Sequence, residues 1–462
     1  MGGGVDPVTL TDNNTPDRVG GQDSATPPRR SSAGRGDGFL RKSGTFLTGT
    51  LLRTLAQGAL FILLAREMPI GTYGLFVGIS ALVAVVSPFA SAGAPSLIFQ
   101  GHADSPADWH HHLARGLVLT AVFGAGASLL VTAAGTAIWG GHVNLVDIAA
   151  LAVADLVAWR LIEVVAASVQ ARGRVFVASV VPAVLHVCRL AAAVALVVSS
   201  RQPLTLHAWA LTSALLSAVI CVGVIWYGVR GAGGLRPDVR GSLAQARTGM
   251  LFAVGLSAQT VYNDLDKVML SRLGSPESAA IYAAAYRVVD FAYTPGRSMA
   301  AVAYPRFFEA GREGPRAALR LTRRLLPRYL MFSVPASLLL VAFAWTMPIV
   351  FGPEYAAATT ALQGLSALLV LKSIHYLAAD TLSGSRMQGR RTVCQIAVGV
   401  VNAALNVWLI PAYGWQGAVA SSLVCDALLG VLLWSCLAAA VRRDAPRGVA
   451  PGRQPADSIG RT

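Results

Sequence analysis

Charged side chains are scarce in this sequence. Lys, Arg, Asp and Glu make up only 13% of its 462 residues, whereas a soluble domain usually contains about 25%. Apolar residues make up 54%, and the mean hydropathy is +0.55. So few charges cannot cover the surface of a soluble protein of this length. The composition therefore excludes an ordinary soluble domain and indicates a polytopic membrane protein.

Cysteine is also rare, and its positions do not suggest a disulfide framework. Reduced packing residues are typically found in apolar segments, and all five cysteines fall in such segments: Cys188, Cys221, Cys394, Cys425 and Cys436. Metal ligation is not expected either. The run from His110 to His112 lies in a predicted loop, and adjacent histidines do not converge on one ion.

Further absences limit the function. No GxxxxGK[ST] loop occurs, so we do not expect the chain to use ATP. The predicted outer loops are only about 5 to 10 residues long, which leaves no room for a catalytic domain outside the membrane. No short apolar core with a small-residue cleavage site precedes the first apolar segment, so no removable signal peptide is expected. The sequence favours a transporter without a cofactor over an enzyme.

Apolar windows long enough to cross a bilayer, about 20 residues each, recur twelve times. We therefore predict an all-α polytopic membrane protein of about 12 transmembrane helices. The first 42 residues are rich in Gly, Pro, Ser, Thr and charge, which predicts a disordered tail. The predicted spans are 44–65, 73–94, 114–139, 146–170, 175–199, 206–229, 246–270, 276–302, 327–350, 356–380, 392–411 and 415–440.

The basic residues alternate between loops in a way that orients these spans. If both ends are cytoplasmic, 28 of the 38 Lys and Arg residues fall on the cytoplasmic side and three in outer loops. Such an excess of cytoplasmic Lys and Arg is typical of membrane proteins. It explains the net charge of +15 without a nucleic-acid partner and predicts cytoplasmic N and C termini.

Two segments repeat at an offset of about half the chain. LAREMPIGTYGLF (Leu64 to Phe76) ends span 1, and LSRLGSPESAAIY (Leu270 to Tyr282) ends span 7. We therefore predict two six-helix lobes with the same orientation, with a substrate site between them that opens alternately to either side. The predicted divisions are tail 1–42, lobe 43–230, cytoplasmic linker 231–245, lobe 246–441 and tail 442–462.

Several charged residues lie inside the predicted spans. Each would cost roughly 2.5 to 3.5 kcal/mol if it faced lipid at the bilayer centre, so we expect them to pair or to line a wet cavity. The candidate substrate-binding residues are Arg53, Lys267, Arg287 and Arg297, and the candidate coupling or cavity acids are Asp264 and Asp290. Structural pairing remains open for Arg287 with Asp290, and also for Arg160 with Glu163.

Spacing refines the prediction for spans 7 and 8. Asn263, Asp264 and Lys267 share a helix face, from which Asp266 points away. Arg287, Asp290, Thr294 and Arg297 follow one stripe of span 8. Pro295 lies on the same stretch and is expected to kink the helix there.

Three segments carry a family resemblance. LLAREMPIGTYGLFVGISALVAVVSPFASAGAPSLIFQ (Leu63 to Gln100) and DKVMLSRLGSPESAAIYAAAYRV (Asp266 to Val288) resemble the openings of the two halves of polysaccharide flippases related to the O-antigen (Wzx-type) exporters. LIPAYGWQGAVAS (Leu409 to Ser421) is similar to a turn near their C terminus. These motifs are shared across the wider multidrug/oligosaccharidyl-lipid/polysaccharide exporter superfamily.

The resemblance implies a bacterial inner-membrane flippase that moves polyprenyl-diphosphate-linked glycans to the outer leaflet for lipopolysaccharide or exopolysaccharide synthesis. It implies a cationic cavity for the diphosphate and sugars, with the lipid tail in the bilayer, and glycosyltransferases and a glycan polymerase as partners. Lipid II flippases usually have fourteen helices, so a count of twelve favours the exopolysaccharide branch.

Two other transporter classes are alternatives to this interpretation. A cation-coupled drug or metabolite antiporter of the same superfamily often keeps an acid in its first span, whereas span 1 here contains Arg53 and no acid. A major-facilitator transporter would have a Gly-rich, Asp-containing basic signature after span 2. The segment QGHADSPADWHHHLARG (Gln100 to Gly116) does not contain it.

Overall fold

The computed structural model describes the backbone of residues 33–200, 202–230 and 239–443, and the side chains of these residues from position 49 onward, apart from eleven positions between 240 and 262. Residues 1–43 and 44–462 form two units, and the described part of the first is helical. Most of the predicted tails (1–42 and 442–462) and of the predicted linker (231–245) lies outside the described residues. The described parts of these segments are helical, because α1 begins at Ala33, α9 begins at Val239 and α17 ends at Arg443.

All regular structure in the described ranges is helical, as the all-α prediction requires. A π-helical segment, Val153–Ala158, joins α5 to α6 without a break. The helices are α1 Ala33–Glu67, α2 Ile70–Ala90, α3 Ala94–Asp104, α4 Trp109–Trp139, α5 Leu145–Ala152, α6 Trp159–Ala171, α7 Val175–Ser199, α8 Leu206–Val229, α9 Val239–Leu273, α10 Pro276–Ala292, α11 Thr294–Arg312, α12 Pro315–Phe343, α13 Met347–Phe351, α14 Ala356–Leu365, α15 Leu368–Gly384, α16 Gln388–Tyr413 and α17 Trp415–Arg443.

Each of the twelve predicted spans coincides with one of these helices or with a consecutive pair. Spans 5 and 6 match α7 and α8 residue for residue. The expected kink in span 8 is a break, because α10 ends at Ala292 and α11 begins at Thr294. Span 10 is a bent pair, with 42° between the segments on either side of the break after Leu365.

Seven described helical segments are long and apolar enough to cross a membrane, and an eighth qualifies if the bent pair counts as one span. The chain is a polytopic membrane protein. The four predicted spans outside this set, at 44–65, 146–170, 246–270 and 276–302, are those that contain Arg53, Asp155, Lys267 and Arg287. Charge lowers their hydropathy, and the same four segments line the central cavity described below.

Local sequence explains where several helices start and how they connect. The hydroxyls of Thr205 and Ser275 accept hydrogen bonds from the amides of Ala208 and Ser278, and thereby cap the first turns of α8 and α10. Gly414 joins α16 to α17 with a φ of +55°, a value that favours glycine. The repeated and C-terminal motifs of the sequence thus form the tight connections between long helices.

The two repeated segments pack against each other at one end of the bundle. α2 crosses α9 and α10, and a Cβ atom on Gly74 would lie 1.7 Å from the carbonyl oxygen of Pro276. Tyr73 and Tyr355 are buried beside this contact, with ring centroids 6.3 Å apart. We call this region the junction; it joins the predicted halves and lies on the predicted outer side.

The close contact at the junction predicts the effect of a single methyl group. Gly74→Ala forces α2 away from α10, because the backbone of Pro276 cannot yield as a flexible side chain can, and we expect a loss of about 1–3 kcal/mol of stability. Gly126→Ala in α4 is the matched control, since no atom lies within 4 Å of its added methyl. Thermal unfolding of both variants in detergent measures the difference, and equal melting temperatures would show that the junction is not tightly packed.

Candidate functional site

A central cavity of about 390 Å³ lies between helices of the two sequence halves. Helices α1, α2, α5, α6, α7 and α8 and the π-helical segment supply the wall from the first half, and α9 and α10 supply the second. Basic side chains outnumber acidic ones on its surface. The charged residues that line it, apart from His186, are Arg53, Asp155, Arg160, Arg189, Asp264, Lys267 and Arg287.

Arg53 and Arg287 form no ion pair with any carboxylate in the described part of the chain. The guanidinium carbon of Arg287 lies 3.9 Å from the ring centroid of Phe61. Stacking on an aromatic face leaves the in-plane N–H groups of a guanidinium free to donate. Arg53, Gln57 and Phe61 follow a four-residue step on α1, so the helix presents all three to the same side. The cavity therefore contains two uncompensated positive charges.

Lys267 is neutralised, in contrast to these arginines. Its Nζ donates to Asp264 Oδ1 at 2.7 Å and to the carbonyl of Asn263 at 2.6 Å. Asp266 does not line the cavity, as the spacing predicts, but its Oδ1 still lies 3.8 Å from the same Nζ, because the lysine side chain reaches back along α9 between the two acids. Tyr282 also donates to Asp266. This buried cluster fixes α9 to α10.

The first-half wall is polar but also internally neutralised. Arg189 of α7 donates to Asp155 at 2.7 Å and to the hydroxyl of Ser217 at 2.8 Å. Arg160 forms the predicted ion pair with Glu163 one helical turn away and also donates to the hydroxyl of Ser87. These pairs satisfy the positive charges on α6 and α7.

A second opening, the side cavity, lies between α1 and the pair α10 and α11 and has a volume of about 520 Å³. The side cavity and the central cavity have four lining residues in common, which are Arg53, Gln57, Phe61 and Arg287. Exposed apolar side chains, including Leu55 and Phe291, form much of its lining. The two unpaired arginines thus lie where the central and side cavities meet.

Arg297 and Asp290 line the side cavity and are not in the central one. They form an ion pair with each other across the break at Tyr293. The pairing of Arg287 with Asp290, which spacing left open, is therefore not formed. All four residues of the predicted stripe of span 8, Arg287, Asp290, Thr294 and Arg297, line the side cavity, and Arg287 also lines the central one.

A third opening, the end cavity, measures about 530 Å³ and shares Arg53 and Arg160 with the central cavity. Phe99 in the middle of α3, Gln170 near the end of α6 and Ser179 near the start of α7 also line it. These positions belong to the predicted cytoplasmic side. The end cavity therefore leads away from the junction.

Lys372 and His375 of α15 lie outside the central cavity. Lys372 Nζ is 3.7 Å from Asp426 Oδ2 and 3.5 Å from Asn263 Oδ1, and His375 Nε2 is 3.3 Å from Asp426 Oδ1. The side chains of Lys372, His375 and Asp426 are all buried. They join α15 and α17 to α9 as a structural cluster.

Of the six predicted site residues, the structure places Arg53, Lys267, Arg287 and Asp264 on the central cavity and the other two at its side entrance. Sequence reasoning missed Gln57, Trp159 and Trp209, which carry no charge and so give no signal in an apolar span. In the described part of the chain, no three His, Cys, Asp or Glu side chains are grouped as metal ligands would be.

Comparison with known proteins gives a consistent family and fold. The family model described as "Polysaccharide biosynthesis protein" matches residues 39–310. No curated protein sequence matches the chain significantly. In a comparison of structures, 28 chains of solved structures match this fold significantly.

Three of these structures illustrate the similarity. An inward-facing multidrug resistance MATE family transporter of the MOP superfamily has a TM-score of 0.69 at 14% identity, over 85% of this chain and 96% of that one. The lipid II flippase MurJ in an inward closed conformation has a TM-score of 0.67 at 10% identity, over 85% and 87%. A MOP superfamily transporter from Pyrococcus furiosus Vc1 (DSM3638), described by the reverse polarity of its binding pocket, has a TM-score of 0.56 at 16% identity, over 87% and 96%.

The contrast between paired and unpaired cations predicts different effects of the same substitution. Lys267→Met leaves the buried Asp266 and the half-buried Asp264 without their cation, which we expect to cost about 3–5 kcal/mol of stability. Arg287→Met loses only a stacking interaction worth about 0.5–2 kcal/mol. Melting temperatures in detergent compare the two. An Arg287→Met protein as unstable as Lys267→Met would show that Arg287 is a structural group.

Proposed function

The chain belongs to the polysaccharide biosynthesis protein family, and from this membership, its transporter fold and its cavities we propose that it is a flippase for a polyprenyl-diphosphate-linked oligosaccharide. It moves this lipid from the cytoplasmic to the outer leaflet of a bacterial cytoplasmic membrane, by alternating access, for cell-surface polysaccharide synthesis. Family and fold support a polysaccharide-related flippase or exporter. The lipid-linked substrate is the part that we infer from the site.

The placement of Arg53 and Arg287 carries this proposal. A diphosphate linkage bears negative charge on oxygens that accept hydrogen bonds, and a guanidinium donates to phosphate oxygens through two parallel N–H groups. The two arginines face the same space, and no carboxylate in the described residues competes for them. In a space of low dielectric their charge attracts an anion more strongly than it would in water.

The side cavity supports a substrate with a lipid tail. It begins at Arg53 and Arg287 and continues past exposed apolar side chains such as Leu55 and Phe291. A polyprenyl chain can occupy such a passage and remain in contact with the bilayer while its diphosphate stays at the arginines. A small cationic drug has no need of this passage and is repelled by two unpaired positive charges.

The openings also fit a direction of transport. The junction closes the predicted outer end, where Gly74 packs on Pro276, whereas the end cavity leads from Arg160 towards the predicted cytoplasmic end. The exposed arginines of α11 and α12, such as Arg312 and Arg316, belong to that end by the excess of cytoplasmic basic residues. We infer that the structure is open to the side on which lipid-linked sugars are assembled.

The proposed reaction order defines the partners by class. Glycosyltransferases that build the glycan on the cytoplasmic lipid supply the substrate. A polymerase or ligase of glycans on the outer side consumes the product. Both classes act on the same polyprenyl-diphosphate-linked chain, and the bilayer itself is the third partner of the protein.

Loss of the protein in its host is the test of this function. We expect a polyprenyl-diphosphate-linked glycan to accumulate on the cytoplasmic face and surface glycan to fall when the gene is deleted. Arg53→Ala and Arg287→Ala should each restore less than about a tenth of the wild-type surface glycan, because each removes a charge-assisted contact worth about 1.5–3 kcal/mol.

Arg66→Ala is the matched control, since Arg66 lies at the junction and contacts backbone carbonyls of α13 instead of the cavity. It should restore surface glycan. If deletion leaves the glycan unchanged and raises sensitivity to small cationic compounds, a cation-coupled antiporter replaces the flippase.

A further inference from the structure

The first-half wall of the central cavity contains an unusual piece of backbone. Helix α5 passes into α6 through the π-helical segment Val153–Ala158, where the amide of Trp159 donates to the carbonyl of Ala154, five residues earlier. Such segments are rare, widen the helix locally, and occur frequently at functional sites. Gly124 of α4 accommodates this segment, since a Cβ there would lie 2.6 Å from the carbonyl oxygen of Leu156.

The π-helical segment presents Asp155 to the central cavity, and Trp159, the first residue of α6, follows it there. The Trp159 ring packs edge to face on His186, with centroids 4.9 Å apart, and His186 Nδ1 donates to the carbonyl of Pro182 at 3.0 Å. This hydrogen bond fixes the imidazole, and the imidazole in turn orients the indole. Asp155 retains 35% side-chain exposure even though it is paired with Arg189.

These groups differ chemically from the arginines at the side cavity. Asp155 and Arg189 provide acceptors and donors with no net charge, and Trp159 and Trp209 add aromatic surface. None of these four residues lines the side cavity, whereas Arg53 and Arg287 do. The central cavity therefore has a charged side next to the lipid passage and a neutral, polar and aromatic side away from it.

We propose that the π-helical wall, Asp155, Trp159, His186 and Arg189, is a sugar-binding subsite that holds the sugar next to the diphosphate. A pyranose ring has hydroxyl groups that need both donors and acceptors, which an Asp and Arg pair supplies. It also has an apolar face of C–H groups that packs on an aromatic ring, and pockets with few polar groups on an apolar lining fix ligand orientation. This inference rests on the proposed function, because it requires the diphosphate at Arg53 and Arg287.

Binding of two lipids to the purified protein in detergent tests the subsite. The probes are a polyprenyl diphosphate without sugar and the same lipid carrying one N-acetylhexosamine. Wild-type protein should bind the sugar-bearing lipid more tightly. Trp159→Ala and Asp155→Asn should each remove most of this preference, by about fivefold to tenfold. Trp159→Ala should leave the affinity for the sugar-free lipid within twofold, whereas Asp155→Asn frees the charge of Arg189 and should not weaken that affinity. Trp159→Phe, which keeps an aromatic face, should retain part of it.

Two controls separate this proposal from the function that it rests on. Trp408→Ala alters an exposed tryptophan on α16 and should change neither affinity, while Arg287→Ala should weaken both lipids together. If wild-type protein binds neither lipid, the flippase proposal fails. If it binds both but shows no sugar preference, or keeps the preference in Trp159→Ala and Asp155→Asn, the sugar subsite is wrong and the diphosphate site stands.

Discussion

The structure depends on one electrostatic constraint, which is that charge within a bilayer must be paired or must face water. Most charged side chains inside the described spans obey it by pairing. Lys267 lies between two acids, Lys372 contacts Asp426, and Arg189 contacts Asp155. Among the described residues that line the central cavity, Arg53 and Arg287 are the arginine and lysine side chains that have no carboxylate partner. In the proposed function, their charge attracts the diphosphate.

The buried pairs and the unpaired arginines have different roles in a transport cycle. A paired cluster such as Lys267 with Asp264 and Asp266 holds α9 and α10 together, and breaking it leaves a buried charge uncompensated. The unpaired arginines are exposed to a cavity, so an incoming diphosphate can replace water without disrupting a structural pair. In the proposed cycle, the tight junction at Gly74 keeps the predicted outer end closed while the substrate enters from the opposite end and from the side.

Much of this architecture could be predicted from the sequence. All twelve predicted spans lie on helices. In eight of them a window of about 20 apolar residues gives a strong signal, and in the other four charge weakens that signal. The repeated motifs located the two connections that form the junction. Arg53, Lys267 and Arg287 could be identified because charge is conspicuous in an apolar span. Long-range pairs such as Arg189 with Asp155 could not be predicted, because they connect residues far apart in sequence. The π-helical segment has no signature in the letters VADLVA, and Trp159 resembles any other core aromatic.

The most direct test of the central claim is transport by the purified protein in vesicles. A polyprenyl-diphosphate disaccharide is placed in both leaflets, and a glycosidase that cannot cross the membrane is added outside. The account predicts that wild-type protein exposes nearly all of the lipid to the enzyme, whereas the double variant Arg53→Ala, Arg287→Ala leaves about half protected. Complete digestion with the double variant, at the wild-type rate, would contradict the assignment of these two arginines to the diphosphate.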